Sequence, residues 1–159
     1  MEQSKVKHLF EYKDGNLYWK NPTRITMKPG TIAGCINKYG YVQVGINHKY
    51  YRMHQLIYLY HHGHIPNFID HVDGNKLNNH IKNLRECTVH QNNRNVKLVS
   101  SNTSGAKNVS WCKFKEKWRV SIRINNKHKS LGYFEDFELA ELVAIEARNK
   151  YHGEFARHI

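Results

Sequence analysis

Between Ile69 and Asn95 the chain reads IDHVDGNKLNNHIKNLRECTVHQNNRN, a stretch dense in Asp, His and Asn and poor in apolar residues. Such a segment in mid-chain is either a long surface loop or a site. Taken singly, its residues have plain structural readings: Asp70-His71 as a surface pair, Asn83 as a turn residue, and Asn75, Asn78 and Asn79 as turn formers. Taken together they hold the parts for hydrolysing a phosphodiester. That reaction needs an activated water, stabilisation of charge on the transferring phosphoryl group, and help for the leaving oxygen. A neutral histidine is a base near pH 7. Oxygen ligands from Asp and Asn suit a hard divalent ion such as Mg2+, which keeps water and substrate phosphate in its shell. Such an ion acts as a Lewis acid on phosphate and leaving group.

Other chemistries fit less well. The composition around Asp73, Asn75 and Asn78 hints at a calcium loop, but the acidic twelfth residue of an EF-hand is missing. His54, His61, His62 and His64 lack the pairing with Glu that zinc peptidases use, and His80 and His90 read as solvated or DNA-facing. Cys35, Cys87 and Cys112 form no C-x-x-C pair, so a zinc ribbon is not expected, and all three read as small semi-buried residues.

The elements that must position these residues follow from periodicity. FIDH reads as a strand, Asp73-Gly74-Asn75 as a turn, and Asn83-Leu84-Arg85 as the entry to a second extended piece through Cys87. Thr88 with Gln91 three residues later makes a capping box, which places Asn92 in the first turns of a short helix. Strand, loop, strand and helix would bring Asp70, His71 and Asn92 together, with Asn83 bracing the loop. Upstream, residues 4–12 read as a short helix with Ser4 as N-cap, Asp14-Gly15 as a turn and NLYWK as a strand. A loop then leads to strands across Thr31–Cys35, Tyr41–Ile46 and YYRM, a small antiparallel meander. HQLIYLYHHG reads as a helix stopped by Gly63.

This order of polar residues resembles the HNH, or His-Me finger, nuclease motif of phage and intron homing endonucleases. That motif reads D-H-x-D-G-[ND]-x-x-[ND]-N-x-x-x-N-L-R, then a Q/E-N-x-x-N helix, and the chain matches nearly every polar position. The resemblance implies a ββα-metal nuclease domain of α+β class over residues 1–100, with its core motif at 69–95. It implies that His71 is the general base, that Asp70 and Asn92 ligate one divalent ion, Mg2+ or Mn2+, and that Asn83 holds the loop and orients His71. Arg85 and Arg94 are DNA-contact candidates in the same segment.

KLVSSNTSGAKN, residues 97–108, has linker composition. After it VSWCKF, WRVSIRI and HKSLGYF read as three strands, the last two joined by a turn at NNK. Trp118, Val120, Ile122 and Ile124 share one face of the middle strand, and Arg119, Ser121 and Arg123 share the other. From Phe137 to Tyr151 the period turns helical, with Ala140, Val143, Ala144, Ala147 and Tyr151 in one stripe. SGAKNVSW, KWRVSIR, LGYF and YHGEFAR resemble the APETALA-type DNA-binding domain of plant ethylene-response factors. The resemblance implies, over residues 101–159, a three-stranded antiparallel sheet on one helix, with the sheet in the major groove. Arg119 and Arg123 are then base-contact candidates, Lys113, Lys115, Lys127 and Lys129 phosphate contacts, and Trp111 either stacks on a sugar or joins the core.

The bulk composition agrees. The 159 residues carry a net charge of +12, which favours a polyanion. No apolar run is long enough for a membrane span, and no apolar leader opens the chain. An intracellular protein is expected, in the bacterial cytoplasm if phage- or intron-encoded. The reading is a homing-type DNA endonuclease acting on double-stranded DNA, a monomer nicking one strand. The alternative is a non-catalytic DNA-binding regulator with a vestigial HNH fold; an RNA-binding protein explains the charge but not the motif.

Overall fold

The computed structural model describes residues 1–96, 98–124 and 127–158. Packing divides the chain into two compact units, Met1–Thr88 and Val89–Ile159. The division falls at Thr88, upstream of the join at residues 100 and 101 drawn from composition.

The first unit opens with helix α1 (Gln3–Leu9), then strands β1 (Phe10–Lys13) and β2 (Asn16–Trp19). The helix expected over 4–12 therefore stops early, and Ser4 is not its cap; Glu2 holds that position. Phe10 is the reason. Its ring packs at 4.4 Å on Trp19, its cross-strand partner, and both are buried. Pairing with β2 outweighs one more helical turn. Asp14 and Gly15 close the hairpin with φ values of 47° and 78°, the twist that a two-residue turn between right-twisted strands requires.

A second sheet holds β3 (Cys35–Ile36), β4 (Val42–Ile46) and β5 (Lys49–Arg52) as an antiparallel meander in the order β3-β4-β5. The strand expected across Thr31–Cys35 is broken: Ile32 makes a single bridge to Tyr18, and pairing to β4 starts only at Cys35. Gly34, at φ +91°, turns the chain between them, and a Cβ there would meet the Gln43 carbonyl oxygen at 2.7 Å. Cys35 is exposed rather than semi-buried. Helix α2 (Met53–His62) follows, ended by Gly63 in the left-handed conformation with its N–H on the Leu59 carbonyl. Met53, Leu56 and Ile57 are fully buried with Val6, Phe10, Leu17 and Val44, and they make the core of this unit. Each such side chain contributes about 1.5–3 kcal/mol. Strands β6 (Ile69–His71) and β7 (Leu84–Glu86) then pair antiparallel.

The second unit starts with helix α3 (Val89–Arg94), directly after Thr88. Residues 98–108, expected as linker, include a packed loop. The Asn102 and Ser104 side chains bond the backbone of Gly105, Ala106 and Val109, and Ala106 is buried in the core. Strands β8 (Val109–Cys112), β9 (Lys117–Ile124) and β10 (Lys127–Phe134) form an antiparallel sheet in the order β10-β9-β8. The NNK turn rests on Asn125 and Asn126, which lie outside the described residues. Helix α4 (Phe137–His152) is capped by Asp136, whose carboxylate accepts from the Leu139 N–H at 2.6 Å. Ala140 and Ala144 bring it close to Val109 and Val120. The architecture is α+β, with small antiparallel sheets and few helices. No helix among the described residues is long and apolar enough to cross a membrane.

Candidate active site

The polar segment folds around its own side chains. In β6 and β7 Asp70 faces Arg85 across the ladder and His71 faces Leu84. In the connecting loop Ile81 packs against the core while Val72 and Leu77 are exposed, and the rest of the loop is tied by amides. Asn83 accepts at Oδ1 from the Asp73 N–H (3.1 Å) and donates from Nδ2 to Asp73 Oδ1 (2.9 Å) and the Asn78 carbonyl (2.8 Å). Asp73 also accepts from the Asn75 N–H at 2.8 Å and from Asn78 Nδ2 at 2.7 Å. Burial pushes the Asp73 carboxyl up, but these hydrogen bonds and His71 together hold it below the usual range. Asn83 thus clamps both ends of the loop that follows His71.

His71 is 5% exposed. Its Nε2 lies 3.1 Å from Asn79 Oδ1, and Asn79 is itself 2% exposed. The other end of that amide fixes the assignment, because Asn79 Nδ2 donates to the Leu77 carbonyl at 3.3 Å. The amide oxygen therefore faces the ring, Nε2 carries the proton, and the lone pair falls on Nδ1. Asn79, read from sequence as a turn former, is also a hydrogen-bond partner of the candidate base. The His71 ring also meets His54 edge-on at 5.1 Å and Tyr41 at 6.3 Å. Burial lowers the His71 pKa despite the raising influence of Asn79, Asp73 and Asp70, so the ring is neutral at pH 7. Burial, His71 and Arg52 bring His54 down to about 3. Two adjacent imidazoles are tolerated here because neither is charged.

Arg85, expected as a DNA contact, sets its guanidinium on Asp70: Nε at 3.0 Å and Nη2 at 2.8 Å, both to Oδ2. Asp70 is buried. Asn92 and Arg94 lie on α3, in the second unit, with Asn92 exposed. Among the described residues no group of three or more His, Cys, Asp or Glu forms a metal cage. By type alone, the carboxylate of Asp70 and the amide oxygen of Asn92 are donors that a hard divalent ion takes, and the two residues belong to different units.

A buttress that no motif signals stands behind this loop. The Tyr12 hydroxyl accepts from the Ile81 N–H at 3.2 Å. Gly15 lies so close that a Cβ would meet the His80 nitrogen at 2.9 Å. The only sequence signal for these was the turn at Asp14-Gly15, which says nothing about what the turn touches.

In the second unit Arg119 and Arg123 are exposed on β9 while Val120 and Ile122 are buried, the face assignment expected from alternation. Trp111 is half exposed and meets Trp118 edge-on at 5.0 Å. Lys113 and Lys127 are exposed. Lys115 rides over the Tyr133 ring at 3.9 Å, and Lys129 donates to the Tyr151 hydroxyl at 2.9 Å.

Comparison with known proteins matches residues 51–94 to a family described as HNH endonuclease. Protein 3.8 of Escherichia phage T7 is 41% identical over 92 residues, covering 57% of this chain and 74% of that protein. A putative HNH homing endonuclease from the SPbeta prophage of Bacillus subtilis is 39% identical over 64 residues, 36% of this chain and 37% of that protein. An uncharacterized HNH endonuclease of Acanthamoeba polyphaga mimivirus is 40% identical over 109 residues, 66% of this chain and 55% of that one. The chain thus spans about a third to a half of the latter two. No solved structure matches. The chain belongs to one family with Protein 3.8 of phage T7, and its residues 51–94 match the HNH endonuclease family.

Proposed function

We propose that this protein is a site-specific DNA endonuclease of the homing type, hydrolysing a phosphodiester with His71 as the base. The observation that carries the reading is the buried His71, with Nε2 3.1 Å from Asn79 Oδ1 and a pKa that burial lowers. The lone pair on Nδ1 takes a proton from the attacking water, and the water oxygen forms the new bond to phosphorus as the P–O bond to the leaving oxygen breaks. Asn83 holds the loop in place during that transfer. Asp70 and Asn92 are the residues that would hold one divalent ion, Mg2+ or Mn2+. Such an ion supplies Lewis-acid stabilisation of the phosphate and the leaving oxygen.

The sheet β8–β10 is the proposed DNA anchor, an APETALA-type module in which Arg119 and Arg123 contact base edges. Lys113, Lys115, Lys127 and Lys129 meet phosphates, and Trp111 stacks near the backbone. One active site and one anchor per chain make a monomer that nicks one strand of double-stranded DNA the economical arrangement. Supercoiled plasmid with Mg2+ tests this. The wild type converts it to the open-circular form, EDTA abolishes conversion, and His71→Ala lowers the rate about 10²–10⁴-fold. Undiminished cutting by His71→Ala would remove His71 from the mechanism.

One observation favours a second reading, a non-catalytic DNA-binding regulator with a vestigial nuclease fold. The Arg85 guanidinium occupies the carboxylate proposed as a metal ligand. DNA binding that survives EDTA, with no cutting of any DNA under any divalent ion, selects that reading.

A further inference from the structure

The second unit contains a cleft of about 540 Å³ that no motif anticipates. Arg94, Lys107, Arg123, Arg148 and Arg157 line it together with His152; no carboxylate is among its described lining residues, with Glu141 acting on Arg148 from outside the lining. The Arg94 end comes from α3, Lys107 from the packed loop before β8, Arg123 from the end of β9, and Arg148 and His152 from the last turns of α4. Sites of roughly this volume, ~300–1,000 Å³, hold groups of small-molecule size.

The cleft is built rather than incidental. Arg148 is 2% exposed and is fixed by hydrogen bonds to the Lys107 carbonyl (2.7 Å) and Asn108 Oδ1 (3.3 Å). Lys107 Nζ donates to the Val96 and Arg157 carbonyls, so its ammonium is held at a set position. Burial, Arg157 and Arg148 pull the Lys107 pKa down to about 8. His152 Nε2 faces the Arg123 carbonyl at 3.3 Å, while its Nδ1 is buried with no hydrogen-bond partner among the described residues. A buried polar atom without a partner costs about 1–3 kcal/mol, and like charges crowded in a partly enclosed space add to that cost. A bound anion with oxygen acceptors and a donor would offset both.

We propose that this cleft is a phosphate site that seats one nucleotide unit of a DNA strand; it does not include Arg119, while Arg123 at the end of β9 borders both the cleft and the exposed face. The assignment rests on the DNA-binding part of the reading above and not on cleavage. A phosphate diester offers acceptor oxygens to the arginines, and the attached sugar or base offers the size and the donor that a bare phosphate lacks.

The test uses the full chain in EDTA, so cutting plays no part. DNA affinity is measured against salt for the wild type and for Arg94→Gln combined with Arg157→Gln, with thermal melts to verify folding. Each phosphate contact contributes about 0.9 to the slope of log K on log salt, so the double variant is expected to lower it by about one. In parallel, the His152 ring is followed by NMR while a DNA duplex, a mononucleotide or inorganic phosphate is added. Filling the cleft moves that ring and raises its titration midpoint, and DNA is expected to do so with the two small probes far weaker. A folded double variant with an unchanged slope overturns the site, as does a His152 ring that stays put at saturating DNA. A ring moved by the mononucleotide or by phosphate but not by DNA assigns the cleft to a free ligand and also overturns it. If the wild type binds no DNA at all, the DNA reading and the cleft fall together; if it binds and only the slope test fails, the cleft alone falls.

Discussion

His71 does not set its own protonation. Asn79, anchored through Leu77, favours the hydrogen on Nε2, and the His54 ring alongside is held neutral by burial, so it adds no charge of its own. Replacing Asn79 with Ala removes the acceptor and frees the tautomer. Plasmid cutting is expected to drop about 10–100-fold, less than the full contribution of a general base. The ¹⁵N spectrum should change from one His71 tautomer to a mixture; unchanged cutting with a single tautomer would show that Asn79 only shapes the loop. Type and spacing single out Asp70, His71 and Asn83 as candidates because the motif names them. They do not single out Asn79. Four asparagines lie between positions 75 and 83, and which one turns toward the ring depends on the path of the loop, which hydrogen bonds to Asp73 determine. The pairing of Arg85 with Asp70 was not legible for a similar reason: it is fixed by strand register, which a single sequence leaves open.

The hairpin of β1 and β2 is a buttress for the loop that carries Asn79. Its turn was legible, since Asp-Gly is a strong signal for a two-residue connection. Its first strand was not, because Val6, Leu9 and Phe10 also fit one helical face and the competing partner, Trp19, is distant in sequence. Gly15→Ala tests the buttress. Its φ of +78° strains any side chain, and the added carbon also meets the His80 backbone at 2.9 Å. Gly30→Ala is the control, at φ +80° with nothing within 4 Å. Strain alone costs about 1 kcal/mol. Gly15→Ala should lose more stability than the control in chemical denaturation and should also slow cutting, whereas Gly30→Ala should leave cutting intact. Equal effects from both would mean that the hairpin does not bear on the site.

The molecule carries +12 charges and keeps several histidines neutral by burial, so acid acts on it twice. Protonation adds to the charge, and it forces cations into buried places. His54 is the clearest case. Its pKa in the folded chain, about 3, lies below the value near 6.5 of an unfolded chain. The unfolded state therefore binds more protons in that window, and the stability contributed by neutral His54 is complete above about pH 6.5 and lost as pH falls toward 3. One such group gives a slope of up to about 1.4 kcal/mol per pH unit. Denaturation followed from pH 7 to pH 5 should show the loss, and His54→Gln should flatten the curve of the first unit. A variant with the wild-type slope would move the acid sensitivity to other groups. The division into two units was visible in the restart of strand patterning after residue 100, yet the packing sets it at Thr88. Composition could not reveal this, because α3 is short and polar and resembles the segments on both sides.

The approach of Gly15 to His80 also limits how this sequence can vary. Two stretches far apart along the chain share one small volume, so neither can drift independently. A library randomised at position 15 alone should return glycine under selection for cutting. One randomised jointly at positions 15, 79 and 80 should admit larger residues at 15 only when the facing loop changes with them. Among natural relatives the hairpin turn and the catalytic loop are then expected to be inherited as a matched pair, and chimeras that cross between them should fold less well than either parent.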